Sequence, residues 1–230
     1  MYRIEDVAKI YARRGQQVVA FATESLSIPR GQYVALVGAS GSGKTTLLSL
    51  LGGMLSPTRG QVWLDNNSLY EQTPAQRARL RGMTIGFVFQ AFNLVPYLTA
   101  VENVQIPLYL AGLGRQQQHD QAVELLERLG LADRMHHKPC ELSAGQQQRV
   151  ALARTVANNP PVILADEPTG NLDPESRSHV LDFLDELHGR QRTIVVVTHD
   201  PDVAKRAQRR LTLRDGAIIN ECSISTARAA

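Results

Sequence analysis

The segment Gly38-Ala39-Ser40-Gly41-Ser42-Gly43-Lys44-Thr45 constrains this chain more than any other stretch. Its spacing is G-x-x-x-x-G-K-[ST]. It lies between Tyr33-Val34-Ala35-Leu36-Val37, which reads as a buried strand, and Thr46-Leu47-Leu48-Ser49-Leu50-Leu51, which reads as the opening of a helix. Glycines allow the tight turn that aims successive backbone N–H groups at one point, and a helix N-terminus adds partial positive charge there. That combination takes a polyphosphate. Lys44 would supply a full charge to the β- and γ-phosphates, and the Thr45 hydroxyl is placed for Mg²⁺. The expected nucleotide contacts are therefore Gly38, Ala39, Ser40, Gly41, Ser42, Gly43, Lys44, Thr45 and Thr46. A flexible Gly/Ser turn is the competing reading, and the flanking strand and helix weigh against it.

With 230 residues, 43% hydrophobic and 20% charged, the chain suits one globular unit with a full core and a smaller lobe. The net charge of +3 is too mild to point to nucleic acid. The densest basic run, Lys205, Arg206, Arg209, Arg210 and Arg214, reads as a solvated face. Cys140 and Cys222 fit no metal or redox spacing, which leads us to expect reduced, structural thiols in a cytosolic setting. The start, Met1-Tyr2-Arg3-Ile4-Glu5-Asp6, is not a signal peptide, and no apolar run approaches the roughly 20 residues that span a bilayer. A membrane role would have to come through a separate partner chain.

Apolar positions at Ile4, Val18, Val19, Phe21, Leu26 and Ile28, with turns at Arg13-Arg14-Gly15 and Pro29-Arg30-Gly31, predict a small antiparallel β region. Strands are expected at Gln61–Leu64 and Thr84–Phe89, and a short helix starts at Thr73-Pro74-Ala75-Gln76 with a capping box. From 91 to 158 the pattern is helical, with boxes at Thr99/Glu102 and Ser143/Gln146 and a C-terminal glycine at Gly130. Val162–Ala165 and Thr193–Val197 read as buried parallel strands, and Asp173-Pro174 and Asp200-Pro201 as helix starts. A hairpin turns at Asp215-Gly216. The expected fold is α/β: a P-loop core with a parallel sheet, an N-terminal antiparallel β region and an inserted helical lobe. Residues 1–90 and 159–220 would form the nucleotide-binding core, 91–158 the lobe and 221–230 a loose tail.

Adjacent carboxylates Asp166 and Glu167 end the 162–165 strand, where α/β sheets bind their ligands. Asp166 would serve Mg²⁺ and Glu167 would be the general base, against a reading of plain helix capping before Pro168. His199 follows another core strand, near where a γ-phosphate would lie; alone it reads more readily as a capping or packing histidine. Ser143-Ala144-Gly145-Gln146 is a second helix N-terminus with small residues, an anion site or an ordinary capped helix.

In this order the pieces resemble the nucleotide-binding subunits of ATP-binding cassette transporters, over about residues 1–220. The resemblance makes Gly38–Thr45 the Walker A motif, Gln90 the glutamine-loop residue and Leu142–Gln146 the signature. Val162–Asp166 becomes Walker B with catalytic Glu167, Asn171-Leu172-Asp173 the D-loop and His199 the switch histidine. It implies ATP and Mg²⁺ as cofactors, the metal at Thr45, Gln90 and Asp166, and catalysis by Glu167, His199 and Gln90. It further implies an adenine-stacking aromatic, best matched by Tyr11, with Tyr2 and Phe21 as competitors. Two copies would meet head to tail, Ser143, Gly145 and Gln146 of one closing on the nucleotide of the other. Ala144 stands where the family usually has a second glycine.

Phe87–Leu94, Leu164–Asp173 with its Gly170-Asn171 pair, and Thr198-His199-Asp200-Pro201 look like the lipoprotein-release and macrolide-export (LolD/MacB-like) branch. That implies an ATP-hydrolysing subunit energising a transmembrane permease, held at the inner face of the cytoplasmic membrane, with no nucleic-acid partner. An amino-acid importer ATPase, which usually has Ser-Ala at 170–171, and an FtsE-like cell-division regulator remain as alternatives. Phe92, Leu94, Val95, Pro96, Tyr97 and Leu98 would either receive the permease or pack the lobe onto the core.

Overall fold

The computed structural model describes residues 1–13, 15–170 and 172–223. Its parallel strands are the continuous apolar runs: β3 (Tyr33–Val37), β6 (Ile85–Val88), β7 (Val162–Asp166) and β8 (Thr193–Val197). In register, Leu36 and Asp166 both face Val197, and Val88 faces Ala165. Such runs are apolar throughout because both sheet faces are covered. Tyr33, Ala35, Ile163, Ala165, Ile194 and Val196 point to one side, against helices α3 (Ala100–Leu110), α5 (Ala144–Val156) and α6 (Pro174–Gly189). The alternate residues Val34, Leu36, Val162, Leu164, Val195 and Val197 point to the other, against helix α1 (Lys44–Leu51) and the N-terminal strands. Each leucine so buried contributes about 1.5–3 kcal/mol.

β1 (Tyr2–Arg13), β2 (Gln16–Ile28), β4 (Arg59–Leu64) and β5 (Asn67–Ser68) form the antiparallel part, and β9 (Arg209–Arg214) turns into β10 (Ala217–Ser223). All join one 10-stranded sheet in the order β5-β4-β1-β2-β10-β9-β3-β8-β7-β6. β1 and β2 are 12 and 13 residues long, a larger ribbon than the apolar spacing implied. Val18 and Val19 lie exposed on it rather than in the core.

The capping boxes form at Thr73/Gln76, Thr99/Glu102 and Ser143/Gln146, opening α2 (Pro74–Thr84), α3 and α5. Gly130 adopts φ +67° beyond α4 (Arg115–Arg128). Thr84 closes α2 instead of starting β6, because its hydroxyl donates to Leu80 O one turn back, at 2.6 Å. Pro107 lies inside α3.

Residues 221–223 are not a tail: Glu221 pairs with Arg209 at 2.8 Å and β10 runs to Ser223. The rest of the expected tail, 224–230, and Arg14 of the first turn lie outside the described residues. Cys140 and Cys222 are unpaired but exposed, so neither is structural. The basic run is not uniformly a solvated face either. Arg206 donates to Asp182 and Asp185 at 2.9 and 2.8 Å, and Arg209 donates to the Ser27 carbonyl at 2.6 Å while largely buried. No helix among the described residues is long and apolar enough to cross a membrane.

Candidate nucleotide site

The loop after β3 takes its shape from glycines in the left-handed region. Gly38, Gly41 and Gly43 have φ +152°, +79° and +101°. Two of them are also pressed by neighbouring strands. A Cβ on Gly43 would stand 2.5 Å from the Ala20 carbonyl of β2, and one on Gly38 would overlap the Leu213 carbonyl of β9. The loop is therefore clamped between two strands rather than free. The buried Lys44 folds over it, Nζ donating to Gly38 O and Ala39 O, each at 2.8 Å.

Asp166 ends β7 and lines the same cleft as Thr45 and Lys44. Burial raises its pKa above the ordinary carboxylate value; the nearby Thr45 hydroxyl and the charge of Lys44 oppose this, and Glu167 reinforces it. Glu167 follows at φ +46°, a left-handed conformation costing about 1–2 kcal/mol for a non-glycine residue. Backbone bonds hold it there: Glu167 N donates to Val197 O at 2.9 Å, and Gly170 N to Glu167 O at 3.1 Å. This twist aims its side chain at His199, whose Nδ1 donates to Oε1 at 2.8 Å. The carboxylate is 14% exposed and the imidazole 73%, so the pair runs from the cleft wall to its mouth. Asp200, which follows, accepts from Arg177 at 2.8 Å and fixes the segment from α6.

These groups surround one cleft of about 540 Å³, which Gln90 also lines. A Cβ on Gly170 would reach the Gln90 amide nitrogen at 3.5 Å, so the glutamine lies against the turn that carries Glu167. The structure thus gathers Gly38, Ser40 through Thr46, Gln90, Asp166, Glu167 and His199. Ala39 contributes its carbonyl to Lys44 rather than a wall. Val18, Val19 and Ala20 of β2 also line the cleft. The sequence reading missed them as site residues; the signal available was an apolar doublet, Val18-Val19, that breaks strand alternation.

Tyr11 stands opposite Val18 on β1, at the edge of the cleft but not in its wall, with the Lys9 ammonium 5.0 Å from its ring centroid. It is 45% exposed, whereas its competitors Tyr2 and Phe21 are core residues at 2% and 0% and have no face to offer.

Ser143, Gly145 and Gln146 do not enter this cleft. Ser143 Oγ accepts from Gln146 N at 3.3 Å, and Gln146 Oε1 accepts from Ser143 N at 2.9 Å, which occupies both side chains as a helix cap. Ser143 and Ala144 face outward; Gly145 faces inward, where a Cβ would overlap the Ser176 hydroxyl of α6. Asp173 caps α6, accepting from Ser176 N at 2.9 Å. Asn171 lies outside the described residues. Of the apolar residues 92–98, Leu94 packs on the core cluster while Pro96 and Tyr97 are exposed.

A family model described as ABC transporter matches residues 21–170, from the strand that lines the cleft to the turn after Glu167. The chain belongs to the ABC transporter family. As an ABC cassette it is an ATP-binding module of transport, with the mixed sheet and helices of that fold. Among its relatives is a macrolide export ATP-binding/permease protein, MacB, of Hyphomonas neptunium, 47% identical over 221 residues. That match covers 96% of this chain but only 34% of the MacB protein. An uncharacterized ABC transporter ATP-binding protein of Thermotoga maritima is 45% identical, with 93% of this chain and 91% of that one aligned. Among solved structures, the ATP-binding cassette MJ0796, in a dimeric post-hydrolysis state bound to ADP and Pi, superposes with a TM-score of 0.92 at 39% identity over 100% of both chains.

Proposed function

We propose that this ABC cassette hydrolyses ATP in the cleft below the P-loop, and that the cycle drives a transmembrane partner of the export or lipoprotein-release kind through head-to-tail association of two copies. The observation that carries the reading is the meeting of Lys44, Thr45, Gln90, Asp166, Glu167 and His199 around one cleft, with Glu167 and His199 joined at 2.8 Å. The triphosphate would lie in the loop of Gly38–Thr46, its oxygens taking over the Lys44 Nζ donors now directed at two loop carbonyls. The donor set at Thr45, Asp166 and Gln90 consists of oxygen groups lining one cleft and suits a hard cation. Bound there, Mg²⁺ supplies charge neutralisation at the β- and γ-phosphates.

Glu167 Oε would accept a proton from the attacking water as its oxygen bonds to the γ-phosphorus, while the β–γ bridging oxygen leaves with the electron pair of the broken bond. His199 keeps the carboxylate turned into the cleft by its Nδ1 bond. Tyr11, half exposed beside Val18, would stack on adenine. Ser143 and Ala144 face outward, outside their own cleft, and so are available to the nucleotide of a second copy; that MJ0796 is a dimer supports the association of two copies. Ala144 would add a methyl group to that contact.

For the membrane partner, a groove of about 610 Å³ between α2 and α3 is lined by Ala78, Met83, Pro107, Leu110 and Ala111, with Met83 and Leu110 exposed. Its apolar character suits a short amphipathic helix of a permease, in the same chain or another. This would keep the cassette at the cytoplasmic face of the membrane. The MacB relatives favour export over an amino-acid importer or a cell-division regulator. The test is to purify the tagged Glu167→Gln chain, with ATP, from gently solubilised membranes. A co-purifying protein with few spans and a large extracytoplasmic domain is expected. A many-spanning partner with a solute-binding protein would indicate import, and the absence of any integral membrane protein would overturn the transport reading.

A further inference from the structure

Gln90 lies on a short segment that is tied down on both sides by two consecutive residues of α5. Before it, the Thr155 hydroxyl shares its one proton between the Phe87 carbonyl at 2.6 Å and the Ala151 carbonyl of its own helix at 2.8 Å. After it, the Arg154 guanidinium donates to Asn93 O at 2.6 Å and to Phe92 O at 2.8 Å. The approach of helix to strand is close: a Cβ on Gly86 would stand 2.7 Å from the Thr155 methyl group. Phe92 and Asn93 both adopt left-handed backbone, φ +55° and +50°, and that turn presents two successive carbonyls to one planar fork of donors.

Arg154 itself is unusual. Burial lowers its pKa, and among the described residues no carboxylate lies within ion-pair distance of it. Its partners are main-chain carbonyls of the segment that follows Gln90. A partly desolvated cation without a counter-charge is costly unless its hydrogen bonds are made, so the guanidinium and the turn hold each other in place.

We propose that Arg154 is a positioning residue for Gln90: by holding the Phe92 and Asn93 carbonyls to α5 it fixes where the glutamine stands in the cleft. The proposal rests on the reading of that cleft as the hydrolysis site. Arg154 does not line the cleft and acts only through the turn. Its loss should therefore affect turnover far more than nucleotide affinity.

The test is steady-state ATP hydrolysis with Mg²⁺, on the full chain, for wild type, Arg154→Ala, Arg154→Lys, Gln90→Ala and the Gln90→Ala/Arg154→Ala pair. For Arg154→Ala we expect kcat to fall about ten-fold with KM for ATP within about two-fold. Arg154→Lys should recover part of the loss, because one ammonium can reach a carbonyl but cannot span both. In the Gln90→Ala background, Arg154→Ala should have no further effect. Multiplying losses in the double variant, or an unchanged kcat in Arg154→Ala, would overturn the proposal. Thermal unfolding accompanies each variant, and if Arg154→Ala does not fold the same cycle is run with Arg154→Lys. A folded wild-type chain that binds but does not turn over ATP would remove the cleft reading and the proposal with it, whereas turnover with multiplying losses removes the proposal alone.

Discussion

The chain has two glycine-containing helix N-termini that look alike in sequence, at Lys44 and at Ala144, and the structure treats them differently. At the first, glycines occupy left-handed conformations between β2 and β9, and the loop they form faces a cleft with a buried lysine inside it. At the second, Gly145 is an ordinary helical residue that makes room for Ser176, while Ser143 and Ala144 face outward. The first is a concave site with its charged and polar groups assembled. The second is an exposed helix end backed by α6, and in the proposed function it meets a nucleotide only when a second copy brings one. A glycine can thus serve backbone conformation in one place and helix packing in another.

Substitutions on the two sides should separate these roles. The largest effect is expected at Glu167→Gln, which keeps the hydrogen bond to His199 but removes the base: ATP turnover should fall by roughly 10²–10⁴ while ATP still binds. Unchanged hydrolysis would exclude the general-base role. Lys44→Ala should weaken ATP binding by about ten-fold or more, measured by equilibrium titration, since a charge-assisted donor to phosphate is lost. Normal affinity would place the triphosphate elsewhere. At the exposed helix end, Gly145→Val forces a side chain into Ser176 and should lower unfolding stability by about 1–3 kcal/mol in denaturant titration. ATP affinity of the single copy should be retained. If that variant is as stable as wild type, the packing account of Gly145 is wrong.

Ser143→Ala removes the cap of α5 and should cost about 0.5–2 kcal/mol, with single-copy ATP affinity again unchanged. The smallest effect concerns Asp166. Its folded pKa is raised, so the folded protein holds this proton more tightly than the unfolded chain does; the resulting stabilisation is present at acid pH and is lost as pH rises through the folded pKa. Asp166→Asn should therefore raise the unfolding midpoint slightly at neutral pH, with the gain shrinking as pH falls toward the carboxylate range, while hydrolysis drops. A gain that grows at acid pH would contradict burial as the dominant cause.

Local features were legible because their determinants lie within a few residues of one another. The capping boxes at Thr73, Thr99 and Ser143 each depend on one side chain and a partner three positions on, and all formed. The parallel strands were legible from apolar runs, and the P-loop from its spacing. Element ends were less so: Thr84 went to α2, and Glu221 to Ser223 extended β10, because helix back-bonding and cross-strand pairing respectively decide them.

By itself, then, the sequence determined where the glycine-rich loop and its lysine lie, which strand ends carry acid and imidazole, and in what order the pieces occur. It did not determine which of them touch. Glu167 and His199 are 32 residues apart and meet only because β7 and β8 lie side by side in parallel, ending at the same level. The exposure of Tyr11 and the burial of Tyr2 and Phe21 follow from how the ribbon packs on α1 and the sheet. The two ties from α5 on either side of Gln90, spanning 61 to 68 residues, likewise depend on a glycine in β6 that lets the helix approach. Each of these contacts is a consequence of sheet order and layer packing, energies that sum over many distant residues and leave no short-range pattern to read.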